Sequence, residues 1–352
     1  MRHLVVRCIR DRDWRCRMGS ALGLALLFAV VIYGRIVFSS TPTPLRLVVY
    51  AFSTQEEVLT QSIFPAFEAA WKAETGQDLT IEGVFGPSGT LAGQITLGAP
   101  ADVALFSNAQ DVTHLQVGRR VRVDNQPVAV SHTPMVIVTR PGNPLGITTF
   151  SDLAQPGLRL LHADPHNSGA GQWAVLAEYG AALRETGDPA AAELQLQAIW
   201  QNVRLLGASA RATMTLFELG AGDAFVTYEH DALLALERGA ALDIVVPPRT
   251  IVAQHVVVIV DDNVTAGELP LAQAFVDYLL SGAGQQRLIR YHLRPADLEG
   301  ERFPEISQPF SVEDLGGWSQ AYIRVLEEVW QAQIEPHLDL EPAPTMLNTG
   351  DG

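Results

Sequence analysis

Cysteine is almost absent from this chain. Cys8 and Cys16 are the only two, both within the first seventeen of 352 residues. The body therefore carries no disulfide scaffold, no thiolate metal site and no cysteine nucleophile. Nucleotide-binding signatures are missing too, with no G-x-x-x-x-G-K-[ST] and no G-x-G-x-x-G. G-x-S-x-G does not occur either, Gly86-Pro87-Ser88-Gly89 being one residue short of a nucleophile elbow. The nine histidines, among them His114, His132, His162, His166, His230 and His255, show no H-E-x-x-H or other metal spacing. Each reads as a surface or strand-end residue in place of a ligand or base, and no metal or cofactor is implied. Positive charge is scarce. The formal net charge is −15, and beyond residue 40 there are 17 basic against 37 acidic residues. Such a body does not bind nucleic acid by counterion release. An anionic ligand would have to be held locally, by dipoles, and not drawn in by a basic surface.

Apolar residues make up 47% and charged residues 18% of the chain, enough for a substantial core. The length suits two lobes. The basic charge that does exist is concentrated at the start, where Arg2, Arg7, Arg10, Arg12, Arg15 and Arg17 precede an uncharged run from Gly19 to Tyr33. This reads as an export signal over residues 1–40, cleavable after Ser39, or as an uncleaved anchor with Arg35 at the interface. No cysteine follows the apolar run, so a lipoprotein anchor is not supported. Either way the remainder lies in the periplasm or otherwise outside the cytoplasmic membrane.

The body alternates strands with helices, which argues parallel α/β sheets. Leu45 to Ala51 is a first strand, leading through Ser53-Thr54-Gln55 into a helix from Val58 to Thr75. The most informative stretch is Leu160 to Tyr179: an apolar strand, a Pro-bearing turn, then Asn167-Ser168-Gly169-Ala170-Gly171 opening a helix. Asn167 or Ser168 can cap it, and the small residues keep Cβ atoms away from whatever approaches the helix mouth. The first N–H groups of a helix lack internal partners and the dipole makes that end positive, so a ligand that fits there is an anion. The chain repeats this device at Gly86-Pro87-Ser88-Gly89 and at Gly207-Ala208-Ser209-Ala210. In open α/β sheets such loops line the ligand crevice. Glu229 and Asp231, beside Tyr228, read as a solvated helix start. Strand pairs at Thr133–Val138 and Thr250–Val256 cross between the lobes, placing 45–132 plus 252–300 in one and 133–251 in the other. Residues 301–334 form a C-terminal extension, and 335–352 a disordered tail.

Taken together, the Gly86–Gly89 loop, the Pro165–Trp173 run, Ala210-Arg211-Ala212-Thr213, Gly220-Ala221-Gly222-Asp223 and Tyr228-Glu229-His230-Asp231 resemble the sulfate/thiosulfate-binding proteins of bacterial ABC importers. The likeness runs from about Leu45 to Arg294. It implies an α/β, two-lobed periplasmic-binding-protein type II fold with a cleft between the lobes. It also implies a monomer without catalytic activity that captures an inorganic oxyanion, sulfate or thiosulfate, and hands it to ABC permease subunits. Carried over residue by residue, the anion site comprises Ser88, Gly89, Ser168, Gly169, Ala170, Ser209 and Ala210, with Ser53 or Thr54 filling the space of an Asp that is here Ala51. Two further departures are Tyr228, where the family has a Trp donor, and Ala170, where it has Gly. Molybdate or another oxyanion is left open by these residues. An extracytoplasmic serine hydrolase would need a Ser–His pair within hydrogen-bond reach, and a membrane-tethered anion sensor would need an uncleaved N-terminus. Neutral donors imply an affinity that changes little between about pH 6 and 8.

Overall fold

A computed structural model describes residues 44–297 and 303–341; the signal or anchor read over residues 1–40 lies outside them. Ten strands are joined by hydrogen bonds, eight of them along one path in the order β2-β1-β3-β9-β4-β7-β5-β6, with β10 on β9 and β8 on β4 beside it. The strands are β1 (Leu45–Phe52), β2 (Leu79–Gly86), β3 (Val103–Phe106), β4 (Val128–Thr139), β5 (Leu160–Ala163), β6 (Val203–Gly207), β7 (Ala224–Tyr228), β8 (Asp243–Val245), β9 (Arg249–Ile259) and β10 (Gln308–Phe310). Pairing is parallel for β1/β3, β5/β6, β5/β7 and β9/β10, and antiparallel wherever β4 or β9 meets β3, β7, β8 or each other.

The path divides within β4. Val128 to Pro134 pair with β9, whereas Met135 to Thr139 pair with β7. Pro134 offers no N–H to the ladder, and it stands where the strand changes partners. A bulge between Ala129 and Ser131 adds local twist just before that point. The result is a two-lobed α/β fold in which one half of the sheet is built on β1–β3 with β9 and the other on β5–β8 with the end of β4.

The inner strands of each half are covered on both faces, which is why β1, β3, β5 and β7 are apolar over most of their length. Along β1, Leu47, Val49 and Ala51 join one core with Phe64, Phe67 and Phe275, while Val48 and Tyr50 join another with Leu91, Ile95 and Leu115. In the second half, Met135 and Ile137 face Trp173 and Leu176, and Val136 and Val138 face Met214 and Phe217. Side chains alternate along a strand, so one strand feeds two cores. Each fully buried Val, Leu or Phe contributes roughly 1.5–3 kcal/mol.

The helices are α1 (Phe64–Thr75), α2 (Ser88–Thr96), α3 (Ala109–Val117), α4 (Gly169–Thr186), α5 (Pro189–Trp200), α6 (Ala210–Glu218), α7 (Glu229–Glu237), α8 (Leu269–Leu280), α9 (Gly282–Arg290) and α10 (Gly317–Ala321). Before α1 the chain runs through short 3-10, α and π turns from Ser53 to Ile63, not the regular helix expected from Val58. After β10 and α10, a π-helical stretch Tyr322–Ile334 lies against the second half. Trp318 meets Trp173 edge-on at 4.6 Å, and Phe310 lies so close over Gly180 that a Cβ there would stand 2.4 Å from its ring. Residues 335–341, read as the start of a disordered tail, form a 3-10 turn at Glu335–His337 and are tied down by Glu335 to His166 and by Glu341 to Arg159. Residues 342–352 lie outside the described part. No helix among the described residues is long and apolar enough to cross a membrane.

Candidate functional site

The carboxyl ends of six strands converge on one small pocket. Phe52, Ser53 and Thr54 come from the end of β1, Pro87 and Ser88 from β2, and Ser107 from β3. From the other half come Ser168, Gly169 and Ala170 after β5, Ala210 after β6 and Tyr228 at the end of β7. No charged side chain lines it. The empty space it encloses, mouth included, is only about 180 Å³. Such a pocket suits an inorganic ion. Because helices follow these strands, Ser88, Gly169, Ala170 and Ala210 present the first turns of α2, α4 and α6, whose leading N–H groups have no intrahelical acceptor.

The hydroxyls do not all serve alike. Ser88 Oγ donates to Asp111 Oδ2 at 2.5 Å and accepts from Ser107 N at 3.1 Å. Ser209 is the N-cap of α6, accepting from Ala212 N at 3.1 Å, so its oxygen is occupied and it stays outside the pocket lining. Ser168 is the N-cap residue of α4 by backbone conformation, yet its side chain makes no capping bond and faces the pocket. Thr54 Oγ1 meets His230 Nε2 at 3.1 Å. The hydroxyl of Tyr228, a residue 1% exposed, has no hydrogen-bond partner. Burial, reinforced by Asp111 and Asp231, outweighs the lowering influence of the neighbouring Ser107 hydroxyl, which lies beside it without hydrogen-bond geometry, and holds its ionisation well above the ordinary phenol range.

Gly89, expected in the site, is used otherwise. Its N–H donates to Asn167 O at 2.9 Å, joining the loop after β2 to the loop after β5. Further bonds also run between the two halves. Trp173 Nε1 donates to Ser107 O at 2.8 Å, and Asn108 Nδ2 donates to Gln172 Oε1 at 2.9 Å. Glu57, in the turns after β1, pairs with both Arg211 and Arg238. These contacts close the pocket from the sides.

Two members of the site were not legible as such. Ser107 and Asp111 belong to the strand–loop–helix junction after β3, where Asn108 Oδ1 caps α3 by accepting from Asp111 N at 3.2 Å. The same alternation that singled out the other loops was present there, without a glycine to mark it. Asp111 is 1% exposed, and burial pushes its carboxyl up to about 6 against the lowering hydrogen bond from Ser88.

The reading of the histidines and of the α7 start needs correction. His162, His230 and His255 are fully buried. His162 is held by Glu178 at 2.7 Å, which also accepts from Trp200 Nε1 at 2.8 Å; burial lowers His162, but Glu178 outweighs it and the net effect is a raised pKa. Burial brings His230 down to about 3 and His255 well below its ordinary value, so both are neutral at pH 7. Glu229 is 3% exposed and forms a two-pronged pair with Arg294 at 3.0 and 2.9 Å, and Asp231 is 2% exposed. Glu229 sits in the interior because a partner 65 residues away reaches it, which no local pattern records. Ser131 Oγ and His255 Nδ1 do stand 3.0 Å apart, the reach a serine hydrolase requires. Both are 0% exposed on the paired strands β4 and β9, with the Phe52 and Tyr228 rings packed against His255 at 4.6 and 5.2 Å. A nucleophile so enclosed meets no substrate, and His255 Nε2 has no acid to orient it.

A two-lobed α/β fold closed over an uncharged, ion-sized pocket defines a solute-binding protein. Residues 47–294 match the family described as bacterial extracellular solute-binding protein, and the chain belongs to that family. It is 34% identical over 273 residues to the sulfate-binding protein of Escherichia coli, covering 73% of this chain and 82% of that one. The sulfate-binding protein of Synechococcus elongatus is 32% identical over 296 residues, covering 80% and 83%. The thiosulfate-binding protein of Pseudomonas aeruginosa is 31% identical over 271 residues, covering 72% and 81%. Among solved structures, the sulfate-binding protein SubI of Mycobacterium tuberculosis superposes with a TM-score of 0.73 at 24% identity, covering 80% of this chain and 99% of that one.

Proposed function

We propose that this chain captures a tetrahedral dianion, sulfate or thiosulfate, in the pocket between its lobes and delivers it to the permease of an ABC importer. The observation that carries the reading is the uncharged pocket at six strand ends, where three helix N-termini meet. A dianion stripped of water there is stabilised by N–H groups and the helix dipoles without a counter-charge. The donors in this reading are the N–H groups of Ser53, Thr54, Ser88, Gly169, Ala170 and Ala210, with the hydroxyls of Ser168 and Tyr228. Residues 45–132 with 252–300 and residues 133–251 act as the two jaws, with 301–334 as a strap. Their closure marks the loaded form. The chain acts as an exported monomer by binding and release, without chemistry. The names of its relatives support the choice of anion.

A thermal-shift series on the full chain with sulfate, thiosulfate, molybdate, phosphate and chloride tests this. A ligand that binds only the folded state stabilises it by about 2.7 kcal/mol at a hundredfold excess over Kd. Sulfate or thiosulfate raises the midpoint and chloride does not. A series in which no tetrahedral dianion moves the midpoint would sink the reading.

A further inference from the structure

Two consecutive residues of α4 bond to two consecutive residues that follow β3. Trp173 Nε1 donates to Ser107 O at 2.8 Å, and Asn108 Nδ2 donates to Gln172 Oε1 at 2.9 Å. All four residues are buried, and Ser107 also lines the pocket. This seam joins the two halves beside the ligand site, so the placement of the Trp173 ring and of α3 decides how firmly it closes. No residue of the C-terminal extension lines the pocket among the described residues.

The extension nevertheless reaches both sides of the seam. Trp318 on α10 meets the Trp173 indole edge-on, with ring centroids 4.6 Å apart. Tyr322 follows four residues later, one helical turn along the same face. Its ring meets His114 of α3 edge-on at 5.8 Å, and α10 itself lies against α3. One aromatic therefore touches the second half and the other the first. The extension is fastened to the second half, by Asp314 to Arg184 at 2.7 Å, Arg324 to Glu193 at 2.5 Å and Glu335 to His166 at 2.7 Å, with Phe310 seated over Gly180. Tyr322 is thus carried by the second half and reaches across to the first.

We propose that Trp318 and Tyr322 are positioning residues of the anion site, an aromatic clasp that holds the two halves closed over a bound ion. Trp318 fixes the Trp173 ring with Nε1 aimed at the Ser107 carbonyl. Tyr322 engages His114 when the halves meet and releases it when they part. The clasp touches no ligand atom, so it sets how long an ion stays and not which ion is recognised. This rests on the oxyanion reading of the pocket and on closure of the two jaws around it. An edge-on aromatic pair shifts an equilibrium by about twofold to tenfold beyond the area it buries. Because Tyr322 and His114 meet only in the closed form, that factor falls on dissociation.

Stopped-flow mixing of the full chain with sulfate, followed through tryptophan fluorescence, tests the clasp, with thiosulfate run in parallel. Tyr322→Leu and His114→Leu each release the ion about twofold to tenfold faster at an unchanged association rate. The double variant is no faster than either alone, since one contact is lost in all three. Trp318→Leu also speeds release, and Trp318→Phe, which keeps an edge-on ring, restores most of the original rate. A purely structural role would instead lower the unliganded melting temperature and leave the effects of Tyr322→Leu and His114→Leu on release additive. Original release rates in those two variants, or effects that add in the double variant, overturn the clasp and leave the binding reading intact. These two arms stand even where Trp318→Leu fails to fold. Release from Trp318→Phe as fast as from Trp318→Leu overturns the part assigned to Trp318. An unsubstituted chain that binds neither anion overturns the reading and the clasp together.

Discussion

Gly169 faces Ser107 across the pocket so closely that a Cβ on Gly169 would stand 1.6 Å from Ser107 Oγ and 2.8 Å from its Cβ. One residue opens α4 in the second half of the sheet and the other directly follows β3 in the first. The approach is reinforced next door, where Trp173 Nε1 bonds to the Ser107 carbonyl. The glycine is needed here for space, since no positive φ is involved.

Gly169→Ala therefore keeps the halves apart. A single methyl at a helix start costs little in the open form, so the melting temperature without ligand stays within about 2–4 °C of the original, as a change under about 1 kcal/mol implies for a chain of this size. Sulfate affinity falls at least about a hundredfold, and small-angle scattering with saturating sulfate shows a more open particle. Undiminished binding would show that Ser107 can move aside.

Tyr228→Phe separates contact with the ligand from structure. Its hydroxyl is buried with no well-formed hydrogen bond, only Ser107 beside it, so removing it leaves the unliganded melting temperature nearly unchanged. If the phenol donates to the anion, the loss of a hydrogen bond to a charged ligand is worth about 1.5–3 kcal/mol. Calorimetry then finds sulfate bound roughly tenfold to a hundredfold more weakly. An unaltered Kd would place the hydroxyl out of reach of the ligand.

Asp231 gives a pH signature in stability. Burial raises its carboxyl to about 6 against the lowering influence of Arg211 and Arg238, with Glu57 and Glu218 adding to the rise. A folded pKa above the unfolded one means the stabilising, protonated form is fully favoured below about pH 4. That contribution is lost as pH rises through 6. Asp231→Asn is thus more stable than the original chain at pH 8, by up to about 3 kcal/mol for a shift of two units, and the advantage disappears at pH 4. Urea unfolding at the two pH values reads this directly; an equal difference at both would exclude the carboxyl as its source.

Three loops of the pocket could be read from local pattern because helix mouths announce themselves with small residues and hydroxyls, whereas Tyr228, Ser53 and Thr54 came from the family resemblance. Ser88, Ser168, Gly169, Ala170, Ala210 and Tyr228 line one pocket, together with Ser53 and Thr54. What stayed hidden depends on distant partners. Gly89 looked like a ligand donor, yet its N–H is taken by Asn167, a residue 78 positions on. Ser209 looked like one too, and its oxygen serves its own helix. Asp111 has the spacing of an ordinary first-turn acid, and only the fold reveals that it is sealed beneath Ser88. The apolar runs of β1 and β4 indicated strands, but not that each would serve two cores or that β4 would change partners at Pro134.

The antiparallel pairing of β3 with β9, Val103 opposite Ile259, fixes an order of events during synthesis. The first half cannot close its core until Val257, Ile259, Leu271 and Phe275 arrive to meet Leu47, Val49, Val103 and Leu105. The second half draws its strands β4 to β8 from one continuous stretch, although its core also takes in Ile251, Phe310 and Trp330. Long-range pairing carries a loop-closure cost that local pairing does not. The residues nearest the start of the described chain therefore complete their core only when those from the 250s and 270s return to them.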